Sequence, residues 1–319
     1  MFTLDSFKKL LLGVTVANGG VLLGSFYIYK ANRPYNDTTV DKPSEIFRIK
    51  TFDDLAKNYD EQTDFLERIT SINKYKKRAF KRVKGVVLEI GAGTGRNFPY
   101  LKNIEALVCI EKSENMCKQL KKKIEQTNPP YPVYVINNDI KNCFFKPNVF
   151  DSVISSFTLC SLEYVDESLK NVYNSMKQDA KFFLIERGII YNKIFRYILQ
   201  KLNLYPNKKI PWEYGYYEDR SPLQILKKNN FNIIFKHIKN SGSIYILTAK
   251  KNINHSVGNT KQILYEQNQI NSIGKYDKIQ HDNVNKAELK QANKKEAQID
   301  INDILLNEKN VFIYYSHKV

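Results

Sequence analysis

A short apolar strand that runs straight into a glycine-rich turn is the feature that most constrains this chain. The segment from Val86 to Ile90 is apolar except for Glu89, and Gly91-Ala92-Gly93-Thr94-Gly95 follows it directly. Glycines at alternate positions let the backbone turn sharply and approach a ligand closely. A dinucleotide fingerprint needs the spacing G-x-G-x-x-G, and here the third glycine comes one residue early. This spacing disfavours a nicotinamide oxidoreductase.

Strand and helix patterns alternate over the residues that follow the turn. Four more buried strands are predicted at 106–110, 133–136, 150–155 and 181–185, with amphipathic helices between them. Two further strands, at 231–239 and 243–250, read as an antiparallel pair. This order predicts an α/β fold with a doubly wound, mostly parallel sheet and a C-terminal antiparallel hairpin, over a domain of residues 51–250.

The N-terminal part of the chain has a different composition. Residues 10–29 are apolar and uncharged, and as a helix they would rise about 30 Å, the thickness of a bilayer's hydrocarbon core. We therefore expect residues 1–33 to form an uncleaved membrane anchor with one transmembrane helix, followed by a linker over residues 34–50. A cleaved signal peptide is the alternative, but the apolar run is long and lacks a small-residue cleavage site.

The C-terminal residues 251–319 are rich in Asn, Lys and Gln, with little apolar content before residue 304. Such a composition is typical of a chain that cannot bury enough apolar surface to fold by itself. We expect a largely disordered tail.

Basic residues exceed acidic ones, and the formal net charge is +17. Seven basic side chains lie within residues 74–84. They fit a solvated helix end, or a contact with anionic lipid headgroups beside the predicted anchor. Nucleic acid is not expected as a partner, because no aromatic-basic recognition motif accompanies the run.

The cysteines and histidines exclude several kinds of site. The four cysteines show neither C-x-x-C nor zinc-ligand spacing, so we expect no metal and no disulfide scaffold. All four histidines lie at or after His237, so a histidine-driven mechanism in the first 236 residues is excluded.

Acidic residues follow three consecutive predicted strands. Glu89 ends the first, Glu111 ends the second 22 residues later, and Asp139 follows the third. At the carboxyl edge of an open α/β sheet these positions suit a ligand's ammonium group, its ribose hydroxyls and its adenine amino group, respectively. Together with the glycine turn they describe a site for S-adenosylmethionine.

Four segments carry a resemblance to a known family. Residues 58–60, 87–98, 150–153 and 158–162 are similar to the motifs of class I S-adenosylmethionine-dependent methyltransferases. Within that class the chain resembles the ubiquinone/menaquinone C-methyltransferase branch and the membrane-anchored methyltransferase-like proteins. The resemblance covers residues 59–250 and departs from the family's turn before the fifth strand, where residues 177–180 stand.

The resemblance implies a set of cofactor-binding residues. These are Glu89 with the loop of Gly91, Ala92, Gly93 and Gly95 for the methionine moiety, Glu111 and Lys112 for the ribose, Asp139 and Ile140 for adenine, and Ser156 and Phe157 beside the sulfonium. Tyr59, Asp60 and Arg187 are candidates for catalysis by position only. The aromatic segment 211–217 fits either a lid over an apolar acceptor or surface packing.

The resulting hypothesis is a membrane-anchored S-adenosylmethionine-dependent methyltransferase that acts on a small or lipid-soluble acceptor. The alternatives are a non-catalytic membrane-associated scaffold or assembly factor with the same fold, and an RNA or protein methyltransferase. A base-methylating Asn-Pro-Pro-Tyr motif is absent, since Ser155-Ser156-Phe157-Thr158 stands in its place. The expected location is a membrane, with the mitochondrial inner membrane preferred over the endoplasmic reticulum.

Overall fold

The computed structural model describes residues 42–252 and Ile304. Seven strands form a single sheet in the order β3-β2-β1-β4-β5-β7-β6. The strands are β1 (Gly85–Ile90), β2 (Ile104–Glu111), β3 (Val133–Asn137), β4 (Phe150–Ser156), β5 (Met176–Arg187), β6 (Phe231–Lys239) and β7 (Ile244–Lys251). Strands β1 to β5 are parallel, and β7 runs antiparallel to both β5 and β6. The predicted mostly parallel sheet and its antiparallel C-terminal part are confirmed.

Eight α-helices accompany the sheet in the described part of the chain. They are α1 (Glu45–Leu55), α2 (Tyr59–Ile69), α3 (Ile72–Ala79), α4 (Glu114–Thr127), α5 (Val165–Ser175), α6 (Lys193–Lys201), α7 (Ile210–Tyr214) and α8 (Pro222–Lys228). Local sequence explains their starts: the Ser113 hydroxyl, for example, accepts a hydrogen bond from the Met116 backbone N–H at 3.1 Å and caps α4.

Apolar side chains cover both faces of the sheet, as a doubly wound fold requires. One buried cluster includes Leu88, Val108 and Phe182, and the other includes Val87, Leu107 and Leu120. Alternate residues of β1 and β2 thus point to opposite faces, and both faces are buried. Between β1 and β4 the order of the strands reverses, which in such sheets opens a crevice at the carboxyl ends.

Three boundaries differ from the sequence predictions. Residues 45–50, assigned to the linker, lie in α1, because the Ser44 side chain caps that helix by accepting from Phe47 N–H. Strand β5 starts at Met176 rather than at residue 181, because Met176 pairs with Phe150 across a register shift. The insertion after β5 contains α6 and α7, which hydropathy did not reveal.

Two predicted segments fall largely or wholly outside the described residues. The anchor at 10–29 lies outside them, and among the residues that are described no helix is long and apolar enough to cross a bilayer. Of the predicted tail beyond residue 252, only Ile304 is described. Its side chain is buried in the core, and its carbonyl accepts a hydrogen bond from the Lys146 backbone N–H at 2.9 Å.

Candidate cofactor and acceptor site

A pocket with about 840 Å³ of empty space, part of it open to solvent, lies at the carboxyl edge of the sheet. The ends of four parallel strands and one face of α1 line it. Nine of the residues predicted for the site contribute to the lining: Tyr59, Gly91, Gly93, Glu111, Lys112, Asp139, Ile140, Ser156 and Phe157. The fold therefore brings most of the predicted cofactor site together in one place.

The glycine loop after β1 has room for a ligand at one position in particular. Gly93 has a positive φ of 56°, and a Cβ placed on it would meet nothing within 4 Å. A Cβ on Gly91 would instead come within 2.4 Å of the Thr158 side chain. Gly93 thus faces open space in the pocket, whereas Gly91 allows the segment that follows β4 to approach the loop.

The Glu111 carboxylate joins this loop to the end of β2. One of its oxygens accepts a hydrogen bond from Gly93 N–H at 2.8 Å, and the other accepts from Ser113 N–H at 2.8 Å. Burial raises the pKa of Glu111. Each oxygen retains a second lone pair for a ligand hydroxyl, as a ribose-binding role requires.

Lys112 bridges two carboxylates across the pocket. Its Nζ lies 2.7 Å from Asp139 Oδ2 and 2.5 Å from Glu45 Oε1, which joins the end of β3 to α1. Burial opposes the charge on Lys112, but its contacts with Asp139 and Glu45 raise its pKa. Lys112 therefore remains a cation that orients Asp139.

Phe157 adopts a backbone conformation that is unusual for its residue type. Its φ is 59°, in the left-handed region, which costs a non-glycine residue about 1–2 kcal/mol. Its N–H donates to the Ile185 carbonyl at 2.8 Å, and its ring lies 5.3 Å from the Arg187 guanidinium. These contacts with β5 hold the ring at the edge of the pocket.

A buried carboxylate that the sequence did not reveal supports the same turn. Glu186 is fully buried and accepts hydrogen bonds from Ser155 Oγ, Thr158 N–H and Leu159 N–H. Burial raises the pKa of Glu186 to about 8. Its role is to fix the backbone on both sides of Phe157.

Three predicted cofactor residues do not line the pocket. The Glu89 side chain lies buried beneath the loop, where it accepts from Asn97 Nδ2 at 2.7 Å, and burial raises its pKa to about 7. Ala92 is buried, and its N–H donates to Ile110. A Cβ on Gly95 would come within 2.8 Å of Leu120, so this glycine serves packing.

Two of the three candidate catalytic residues are held by other contacts. Burial disfavours the charge on Asp60, but hydrogen bonds from Lys123 and Thr94 lower its pKa, and it also contacts Arg96. The Arg187 guanidinium lies between the rings of Phe157 and Tyr216, at 5.3 Å and 5.2 Å. Only Tyr59 lines the pocket, and burial raises the pKa of its hydroxyl.

Helix α1 covers the pocket, a contribution that no sequence motif indicated. Glu45, Arg48, Ile49 and Phe52, spaced as one helical face, line the pocket from above. Arg48 is 2% exposed, donates to the Gly215 carbonyl at 3.3 Å and pairs with Glu163. Partners more than a hundred residues away thus hold the helix over the site.

The aromatic segment 211–217 supports α1 and does not itself line the pocket. The Trp212 ring meets Phe47 of α1 edge to face, with centroids 5.0 Å apart. Gly215 lies against the Phe52 ring so closely that a Cβ would approach within 2.7 Å. Of the two alternatives for this segment, the structure favours packing, here against helix α1.

Within residues 42–252, no group of three or more His, Cys, Asp or Glu side chains is placed to hold a metal ion. The four cysteines are free and buried, and burial raises the pKa of Cys160 to about 12. None of the four cysteines lines the pocket, so we expect no cysteine nucleophile there.

The family model and the two sequence relatives that this chain matches are all described as methyltransferases. Residues 88–184 match the model of a methyltransferase domain. The chain is 29% identical over 154 residues to the mitochondrial methyltransferase OMS1 of Saccharomyces cerevisiae, covering 43% of this chain and 33% of that protein. It is 25% identical over 129 residues to the ubiquinone/menaquinone biosynthesis C-methyltransferase UbiE of Wigglesworthia glossinidia brevipalpis, covering 39% and 50%. The chain thus spans half or less of these two relatives.

Solved structures of similar shape include a possible histamine N-methyltransferase from Thermotoga maritima. It is 20% identical, has a TM-score of 0.45, and is matched over 63% of this chain and 99% of its own. A Leishmania major S-adenosylmethionine-dependent methyltransferase is 12% identical with a TM-score of 0.49, over 65% and 82%.

Proposed function

We propose that this chain is a class I S-adenosylmethionine-dependent methyltransferase that transfers a methyl group to a small or lipid-soluble acceptor at a membrane. The match of residues 88–184 to a methyltransferase-domain model supports the reaction type. The observation that carries the proposal is the charge of the pocket. Its lining contains four acidic residues, Glu45, Glu111, Asp139 and Glu163, and two basic ones, Arg48 and Lys112, a balance of 2 − 4 = −2. An acidic pocket in a chain with a net charge of +17 suits a cationic ligand.

The residues present fit S-adenosylmethionine. The open space at Gly93 admits close approach by a ligand, and Glu111 offers its free lone pairs at the end of β2. Asp139, oriented by Lys112, lies at the end of β3, and the Phe157 ring lies at the end of β4. When bound, this cofactor supplies a methyl group on a positively charged sulfonium, ready for displacement.

The chain's own part in the reaction is to orient the reactants and exclude water. Helix α1 covers the pocket, and the Phe157 ring forms part of its wall. Tyr59, with its raised pKa, stays a neutral phenol near pH 7 and can donate a hydrogen bond to an acceptor oxygen. Since the pocket lining holds no histidine, the arrangement suits an acceptor that loses its proton readily, such as a thiol, a phenol or an activated carbon.

The membrane is part of the proposal through residues 10–29, which are apolar and uncharged. The mitochondrial name of the yeast relative favours the mitochondrial inner membrane over the endoplasmic reticulum. Alkaline carbonate extraction of the full chain and of a variant lacking residues 1–33 tests the anchor. The full chain should stay in the pellet and the shortened chain should be released, and release of both would overturn the anchor.

Calorimetric titration of the purified chain with S-adenosylmethionine tests the cofactor. Saturable heat is expected, with Glu111→Ala as the weakened control, and a folded protein without heat would overturn the proposal. Incubation with methyl-labelled cofactor and a membrane lipid extract then tests transfer. Label in the organic phase supports a lipid-soluble acceptor, whereas binding without any transfer would favour the non-catalytic scaffold.

A further inference from the structure

Helix α6 presents an apolar face that nothing in the described part of the chain covers. None of its residues from Lys193 to Lys201 is buried. Ile194, Tyr197, Ile198 and Leu202, at positions i, i+3, i+4 and i+8, are between 48% and 74% exposed. This spacing places them on one side of the helix, so their exposure forms a continuous stripe.

The charges around this stripe have a single sign. Helix α6 itself carries three basic side chains, Lys193, Arg196 and Lys201, and no acidic one, and the sequence 188–212 around it contains no acidic residue. An amphipathic helix with an apolar stripe and only basic charges has the composition of helices that lie in the headgroup region of an anionic membrane. Tyr191 and Tyr197, both half exposed, are residues that favour this interface.

Helix α2 provides a comparison within the same protein. It also exposes apolar residues, Phe65 at 67% and Ile69 at 62%. Its eleven residues, however, carry four acidic side chains and one basic side chain, a balance of 1 − 4 = −3. Three of these acids are paired with Arg96, Lys76 or Lys123, so α2 with its partners is close to neutral. Helix α6 carries three basic side chains and no acidic one, so charge and not apolar exposure alone distinguishes α6.

The structure fixes α6 beside the pocket. The Asn192 side chain caps the helix by accepting from Phe195 N–H at 3.0 Å, and Tyr191 N–H donates to the Gly242 carbonyl at 3.0 Å. The helix starts six residues after Arg187, whose guanidinium contacts the pocket residue Phe157. It therefore emerges at the same edge of the sheet as the pocket.

We infer that α6 lies on an anionic bilayer surface, with its apolar stripe among the lipid headgroups, and brings the pocket close to the membrane. The membrane contact is argued from α6 alone. It rests on the proposed function only for its purpose, which is to give a lipid-soluble acceptor access to the pocket. The basic run 74–84 is less suited to this role, because Lys84 leads directly into the amino end of β1, at the edge opposite the pocket.

A site-specific fluorescent probe on the full chain tests this contact separately from any anchor. The four native cysteines are buried, and burial raises the pKa of Cys117, Cys143 and Cys160 to about 12, so an added surface cysteine is labelled selectively. Ile198→Cys places an environment-sensitive fluorophore on α6, and Phe65→Cys is the matched control on α2. Both proteins are mixed with phosphatidylcholine vesicles, with or without phosphatidylglycerol, that carry a lipid-attached quencher.

The label at residue 198 should be quenched in vesicles that contain phosphatidylglycerol and much less in phosphatidylcholine alone, while the label at residue 65 stays unquenched in both. Adding Lys193→Gln and Lys201→Gln should lower the ratio of quenched to unquenched label about 30-fold, at roughly 1 kcal/mol for each charge. Equal quenching at the two positions, or quenching at residue 198 that ignores phosphatidylglycerol, would overturn the inference.

The C-terminal tail and a second copy of the chain are the two other candidates to cover the apolar stripe of α6, and each would give a different result. A label at residue 198 that is shielded without vesicles and released by removal of residues 253–319 would show that the tail covers α6. Shielding that grows with protein concentration would show a second copy. Either result overturns membrane docking. Calorimetry with S-adenosylmethionine on the same labelled proteins reports the cofactor site independently, so the two proposals fail separately.

Discussion

Glu111 Oε2 accepts a hydrogen bond from the Gly93 backbone N–H at 2.8 Å, which ties the glycine loop after β1 to the end of β2. The other oxygen accepts from Ser113 N–H at the start of α4. One carboxylate thus shapes two walls of the pocket while facing into it. Its loss should affect both the cofactor and the loop that receives it.

Glu111→Ala should weaken S-adenosylmethionine binding by roughly 30- to 1000-fold. Two charge-assisted contacts with the ribose hydroxyls would be lost, and water would replace part of them, for a net loss of about 2–4 kcal/mol. Calorimetry measures the affinities. Glu111→Gln, which keeps an acceptor oxygen, should lose less. Equal affinities for wild type and Glu111→Ala would remove Glu111 from the site.

Gly93→Ala and Gly91→Ala should separate binding from folding. At Gly93 the new methyl group enters open pocket space, so the fold should lose only the left-handed backbone cost of about 1–2 kcal/mol. Cofactor affinity should fall about 5- to 150-fold, for a clash of roughly 1–3 kcal/mol with the ligand. Calorimetry and urea unfolding of Gly93→Ala measure the two effects.

At Gly91 the added Cβ would meet Thr158 at 2.4 Å, and φ is again positive at 63°. This variant should lose about 2–5 kcal/mol of folding free energy, the sum of backbone strain and overpacking. Urea unfolding compares the two variants. Equal stability of Gly91→Ala and Gly93→Ala would contradict the packing described for the loop.

The stability of the protein should fall as the pH rises from about 5 to 8. The Glu186 carboxyl has a pKa of about 8 in the folded protein because of burial, against an ordinary 4.5 when unfolded. The contribution of the Glu186 carboxyl to the free energy of unfolding is fully present below its unfolded pKa. It is lost as the pH rises through its folded pKa, by at most about 1.4 kcal/mol per pH unit. Glu89, with a pKa of about 7, acts in the same direction.

Glu186→Gln should flatten this dependence, because the amide does not titrate. Urea unfolding at several pH values measures the slope for both proteins. Asp166→Asn is the control, since a hydrogen bond from Lys228 lowers the pKa of Asp166 and places its titration below this range. Identical slopes for wild type and Glu186→Gln would show that Glu186 does not take up a proton on folding.

Ile304→Ala should destabilise the domain by about 2–5 kcal/mol, the usual cost of emptying a buried isoleucine site. Ile194→Ala is the matched control, because Ile194 is exposed on α6 and its removal should change stability by no more than about 0.5 kcal/mol. Urea unfolding of the two variants decides the point. If they are equally stable, Ile304 does not pack on the core.

Local patterns in the sequence predict the centre of the fold and much of the site. The apolar run before Gly91 forms β1, and Glu111 and Asp139 follow β2 and β3 at the pocket edge. These features are predictable because strand period, glycine conformation and strand-end position are properties of a few consecutive residues. The order of the strands in the sheet then places the carboxyl ends of β1, β2 and β3 side by side.

The lid and the supports of the site were not predictable in this way. Arg48 is a charged residue that local sequence would place in solvent, and it is buried because Ser161, Glu163 and Gly215, more than a hundred residues later, contact its guanidinium. Glu186 lies at the end of an ordinary buried strand, and its partners are backbone N–H groups some 28 residues earlier. Such contacts depend on the tertiary arrangement, which hydropathy patterns do not report.

The position of α1 affects how fast a ligand enters and leaves the pocket. Lys112 pairs with Glu45, Arg48 pairs with Glu163, and the Asp53 carboxylate accepts from Asn115 N–H at 3.0 Å, so three separate contacts fasten the helix over the pocket. They hold α1 as one wall of a pocket that is otherwise partly open to solvent, so the helix narrows the path by which a ligand enters or leaves. We expect the residence time of a bound cofactor to shorten as salt weakens the ion pairs that hold α1, which stopped-flow release at increasing ionic strength would measure.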